Sequence, residues 1–91
     1  MYLVISYDIQ SDRRRTKIHK ALKNYGAWIQ YSVFECDINK MEYLRLRHQL
    51  GQLIDPDGED SLRFYLLCEE CKRKIERIGG ITPSENGAIV V

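Results

Sequence analysis

With 91 residues, the chain makes one small domain that buries roughly 60–65% of its unfolded surface, and so thin a core favours support from a second copy. Its 14 Lys and Arg against 13 Asp and Glu leave a formal charge of +1, which alone argues neither for nor against a nucleic-acid partner. Three cysteines, no signal peptide and no long apolar segment argue against a disulfide framework or a membrane span, and predict a reduced, cytoplasmic protein.

The first predicted element is MYLVISYDI, where seven of nine residues are apolar or aromatic. So short a continuous run reads as a strand covered on both sides. Asp8 then stands at the outgoing end of a buried strand. An unpaired carboxylate there must reach solvent, find a cation or donors, or take up a proton.

Ser11 or Asp12 caps a helix over RRRTKIHKALKNYG, with Asp12 the stronger candidate cap than Asp8. Ile18, Ala21, Leu22 and Tyr25 form its apolar stripe, and Gly26 is its stop. Arg13, Lys17 and Lys20 share the opposite face, while Arg14 lies near the stripe, within reach of Asp8. Asp55, Asp57, Glu59 and Asp60 cluster further along. One surface is therefore expected to be basic and another to repel phosphate.

Ala27 to Ile38 exceeds an ordinary strand and is read as a hairpin turning near Gln30 to Ser32, although no glycine marks the turn. In its second arm Phe34, Cys36 and Ile38 face one side, Glu35 and Asp37 the other. Asn39 and Glu42 match a capping box, and Tyr43, Leu46, Leu50, Leu53 and Ile54 follow at helical spacing. Asp55-Pro56-Asp57-Gly58 turns the chain. Ser61 to Cys68 is a strand with Leu62, Phe64, Leu66 and Cys68 on one face. In CEECKRKIERIGG, Glu69 to Lys74 has fair helix propensity, while Ile75 to Ile78 reads equally as a short strand before Gly79-Gly80. AIVV is a terminal strand after a loose connector, available to its own sheet or to a partner's.

Strand, helix, two strands, helix, strand is the ferredoxin-like order. The expected fold is an α+β, βαββαβ sandwich over residues 1–80, with 81–91 as connector and additional C-terminal strand. Apolar residues on both faces of the first and fourth strands predict a homodimer packed through its sheets.

Asp8 is the candidate catalytic and metal-binding residue. Magnesium takes oxygen ligands, tolerates one or two carboxylates and completes its shell with water and phosphate, and a two-fold axis near the strand end would present two. The competing reading is a helix cap or an acceptor of backbone N–H bonds. Arg13, Arg14, Arg15, Lys17 and Lys20 are candidate phosphate contacts, against a merely solvated basic face. Cys68 and Cys71 have the CxxC spacing of a zinc or redox pair, against ordinary buried thiols or a local turn. The six tyrosines are read as packing residues rather than as base-stacking platforms.

Taken together, Tyr7-Asp8-Ile9, DRRRTKIHKAL, Tyr25-Gly26, QYSVFEC, the Asp-rich turn, SLRFYLLC and the CEEC segment closely resemble a small CRISPR-associated family. It is the endoribonuclease and adaptation protein family, the dimeric companion of the CRISPR spacer integrase, and the match runs from Met1 to about Gly80. The resemblance implies a prokaryotic antiviral-defence homodimer to which each subunit contributes one Asp8. Magnesium or manganese would activate water there to cleave RNA or double-stranded DNA. By the same resemblance the Arg-rich start of the first helix meets nucleic acid, and Ser32 and Phe34 lie near the interface. A non-catalytic dimer that bridges integrase dimers and DNA is the second implied role. A nucleic-acid-binding module without chemistry is the third reading.

Overall fold

Alternation along the first strand decides the layering. In the computed structural model, which describes residues 1–80 and the backbone of 82–83 and 89–90, β1 spans Tyr2–Asp8. Leu3, Ile5 and Tyr7 are buried, whereas Tyr2, Val4 and Ser6 are half-buried and Asp8 is exposed. Within one chain, then, only the odd-numbered side of this strand is fully covered. Helices α1 (Asp12–Lys23) and α2 (Lys40–Leu53) contribute to a single core with Leu3, Ile5 and Tyr7, which leaves the even-numbered face open within one chain.

Strands β2 (Ala27–Gln30), β3 (Val33–Asp37) and β4 (Ser61–Leu67) complete a sheet of order β2-β3-β1-β4, antiparallel at every step. This is the ferredoxin-like α+β topology, and it carries further strand structure at the C-terminal end. There β5 (Thr82–Pro83) pairs with β6 (Ile89–Val90); Ala88 and Val91 of the predicted last strand lie outside the described residues.

The core holds Leu3, Ile5, Ile18, Leu22, Phe34, Leu46 and Leu50 without solvent exposure. Both predicted apolar stripes are therefore the buried ones. Asn39 and Glu42 close a capping box on α2. On α1 the cap is Ser11, whose hydroxyl accepts the Arg14 amide, and Asp12 is the first helical residue, paired with Arg15 at 2.6 Å. A short hydroxyl suits the extended cap backbone, and an acid in the first turn suits the helix dipole.

The hairpin turns at Tyr31 and Ser32 as expected, and Tyr31 does the work of the missing glycine. It takes φ 41°, and its carbonyl accepts the Trp28 indole N–H at 2.8 Å. Gly26 lies beyond the end of α1, where a Cβ would sit 2.4 Å from Cys36 Sγ and 2.5 Å from the Glu35 carbonyl oxygen. Glycine is needed there for the close approach to β3.

Beyond β4 the chain forms α3, five residues from Glu69 to Arg73, and Ile75 to Ile78 take no strand structure. Of the predicted β4 face, Leu62 and Phe64 pack on the core, Phe64 edge-on to Tyr43. Leu66 stays 52% exposed and Cys68 is exposed, because the helical cover reaches only the first half of this edge strand.

Candidate nucleic-acid and metal site

Asp8 closes β1 opposite Ser61, the first residue of β4. Its side chain is on the open face, at a cleft of about 260 Å³ lined with Ser6, Tyr7, Ser61, Arg63 and Tyr65. Among the described residues its one hydrogen bond is a long contact of 3.5 Å from the Gln10 side-chain amide. The side chain is exposed to solvent, so it needs no buried partner. It does not cap α1, since Ser11 does.

Arg14 turns away from Asp8 and forks onto Asp60, Nε to Oδ2 at 2.7 Å and Nη2 to Oδ1 at 3.3 Å. Asp60 also accepts the backbone amides of Gln10 and Asp55, each at 2.9 Å, and its side chain is fully buried. The Arg14 bond and then the Gln10 amide hold its carboxyl well below the usual range. The predicted acidic cluster is therefore divided, because Asp60 points inward as a staple. Asp55 caps the 3-10 turn Pro56–Gly58 with its own side chain.

The basic side of α1 divides similarly. Arg15 is held by Asp12 and by the Ile9 carbonyl oxygen at 2.9 Å. Arg13, Lys17 and Lys20 are exposed and, among the described residues, form no ion pair. A second cleft, about 490 Å³, lies between α1 and the hairpin turn, lined by Arg15, His19, Lys20, Lys23, Tyr7 and Tyr31 among others. His19 Nδ1 lies 3.3 Å from the Tyr7 hydroxyl and its ring stands edge-on to Phe34 and Trp28. Burial, reinforced by Lys23, lowers its pKa and so favours the neutral ring.

Tyr7 lines both clefts. The acidic rim and the cationic cleft are thus neighbours on either side of one strand end. Phe34 packs inward against Tyr7 and His19. The member of its block that faces the open side is Glu35, opposite Val4.

Glu35 is the residue that sequence reasoning missed. Its carboxylate is bonded by the Tyr2 hydroxyl and by both terminal nitrogens of Arg77, Nη1 at 2.9 Å and Nη2 at 2.5 Å, with Glu35 only 8% exposed. Burial opposes its ionisation, but the bonds from Arg77 and Tyr2 prevail and its pKa is lowered. Tyr2 moves the other way, raised by burial and then by Glu35. A glutamate set directly between Phe34 and Cys36 was the available signal. Its partner lies 42 residues away, beyond any local pattern.

For a metal ion, the Asp8 cleft has suitable chemistry but too few charges. Carboxylate and hydroxyl oxygens suit a hard cation, yet one chain brings one carboxylate, with Arg63 beside it. Among the described residues no group of three or more His, Cys, Asp or Glu could hold a metal. A second Asp8 has to come from a second chain. Among the described residues, too, no helix is long and apolar enough to cross a membrane.

The model of the CRISPR-associated protein Cas2 family matches residues 1–75. The chain belongs to the Cas2 family. It is 42% identical over 88 residues to a CRISPR-associated endoribonuclease Cas2 of Methanospirillum hungatei, spanning 97% of each chain. The crystal structure of Streptococcus pyogenes Cas2 is similar with a TM-score of 0.74 and 34% identity, over 87% of this chain and 100% of that one. A chain of a partial Cas6-RT-Cas1–Cas2 complex matches with a TM-score of 0.69 and 27% identity, over 94% of this chain and 91% of that one. The motifs read from the sequence point to the same family.

Proposed function

We propose that two copies stack open face to open face, bring their Asp8 carboxylates together at the two-fold axis, and act as a metal-dependent phosphodiesterase in CRISPR spacer acquisition. The observation that carries this reading is that Asp8 is uncommitted. Ser11 caps the helix and Asp60 takes Arg14, so among the described residues Asp8 has no structural task that would account for a carboxylate at a strand rim. The relative from Methanospirillum hungatei is named an endoribonuclease, and RNA or double-stranded DNA is the substrate class.

Magnesium or manganese held between the two carboxylates would supply an activated water and charge relief on the phosphate. The chain's own residues do the rest. Ser6 and Ser61 offer hydroxyls at the Asp8 rim, and Arg63 faces the phosphate that enters the cleft. Arg13, Lys17 and Lys20 neutralise the backbone beyond it, while Arg14 and Arg15 hold the helix start in place.

The second reading is a non-catalytic dimer that spaces integrase subunits along DNA. It is favoured by the single carboxylate that lines the cleft and by the similarity to a chain of a partial Cas6-RT-Cas1–Cas2 complex. Cleavage of RNA and of duplex DNA with and without magnesium, in wild type and Asp8→Asn, separates the two. Loss of cleavage in the variant, with the dimer and nucleic-acid binding intact, supports the phosphodiesterase. Cleavage undiminished in Asp8→Asn removes Asp8 from the chemistry, and no cleavage by either protein with spacer integration retained leaves the scaffold.

A further inference from the structure

Cys68 and Cys71 take no part in the function proposed above. Cys68 is the cap residue of α3, extended at φ −72° and ψ 168°, and its Sγ accepts the Cys71 amide at 3.4 Å. Cys71 is the third residue of that helix. The spacing sets both sulfurs over the same turn, and both cysteines are exposed.

Their environments differ in the sense that exchange chemistry needs. The Cys71 amide and then its thiol lower the pKa of Cys68, while Cys68 raises that of Cys71. Cys36 is the internal contrast. It lies in the core at 1% exposure, and burial, then the Glu35 charge, pushes its thiol up to about 12. Cys68, whose sulfur at the cap accepts an amide N–H, is thus placed to attack, Cys71 one turn on is placed to resolve, and the buried Cys36 is withdrawn from reaction.

We propose that Cys68 and Cys71 form a reversible intramolecular disulfide by exchange with a low-molecular-weight disulfide. The Cys68 thiolate attacks one sulfur of the reagent, forms a mixed disulfide and releases one thiolate. Cys71 gives its proton to solvent, attacks the Cys68 sulfur and expels the second thiolate. Two protein thiols become one disulfide, the small disulfide becomes two thiols, and two electrons pass from protein to reagent.

The test equilibrates the full chain in mixtures of reduced and oxidised glutathione, quenches with acid, alkylates in denaturant and weighs the intact protein. As the oxidised share rises, the species with three alkyl groups should give way to one with a single alkyl group, and excess reduced glutathione should restore it. Cys71→Ser should stop at a stable adduct with one glutathione. Cys68→Ser, which keeps a good cap, should take up glutathione about tenfold more slowly than Cys71→Ser. Three alkyl groups at every ratio, a bond between two chains instead of within one, or equal rates for the two variants would overturn the proposal.

Discussion

Arg14 and Asp60 hold each other through two bonds, the guanidinium Nε 2.7 Å from one carboxylate oxygen and Nη2 3.3 Å from the other. The pair ties the first turn of α1 to the residue before β4, and the two amides on the same carboxylate add the β1–α1 loop and the 3-10 turn. The rim on which Asp8 stands is therefore set by a buried acid that has no exposure to the cleft.

Replacing that acid should be costly at neutral pH. Asp60→Asn leaves a charged Arg14 facing a neutral amide, so the urea midpoint should fall with an unchanged m value. Because the folded carboxyl titrates below its ordinary value, its contribution is present above about pH 4. It is lost as the pH falls through the depressed folded value. The stability gap between wild type and variant should accordingly narrow on acidification, and urea melts at a series of pH values read it directly. A constant gap would mean that the charge of Asp60 contributes nothing.

Glu35 and Arg77 should be coupled. Their side chains are 7% and 26% exposed, too little for water to screen the pair fully. A double-mutant cycle with Glu35→Gln and Arg77→Met should return a coupling energy of about 1–3 kcal/mol in favour of the native pair. Additive single effects would show that the clasp is a contact without consequence.

The His19 ring should titrate below the ordinary histidine value of 6.5. Burial is the larger cause, so Lys23→Gln should raise the midpoint only part of the way back. The sign of the stability effect follows: folding favours the neutral ring. That contribution is full above the ordinary value and lost as the pH falls through the lowered one. Imidazole proton resonances followed by NMR from pH 4 to pH 8 measure the shift. A midpoint at or above the ordinary value in wild type would contradict the half-buried placement.

Nucleic-acid affinity should depend on the cations that are free rather than on those that are tied. Removing Lys17 and Lys20 together should weaken binding to unrelated duplexes about equally. The salt dependence should flatten by about 0.9 in log–log slope for each phosphate that the variant no longer neutralises. Binding titrations across a range of salt concentrations check this, and a weakening confined to one sequence would indicate base reading instead.

Periodicity made the elements legible. The stripe Ile18, Ala21, Leu22 and the capping box Asn39–Glu42 are local patterns, and each is found where the spacing put it. Asp8 at a strand end was legible for the same reason. The pairing of charges was not. Asp60 belongs to an acidic run by sequence and to Arg14 by structure, 46 residues away, and Glu35 looked solvent-facing until Arg77 and Tyr2 covered it. The short helix at Glu69 fell below the length at which periodicity distinguishes helix from strand. The cover on the even face of β1 belongs to no local pattern either, since it depends on what lies against the sheet.

The clasp on Glu35 also closes late in synthesis, because its two halves lie far apart along the chain. β3 leaves the ribosome with an acidic group destined for the interior, and 42 further residues must follow before its guanidinium partner exists. The central strand waits as well, since β4 pairs along its full length from Ser61 onward. A nascent chain halted before Ser61 lacks the fourth strand of the sheet, and one halted before Arg77 lacks the guanidinium that meets Glu35.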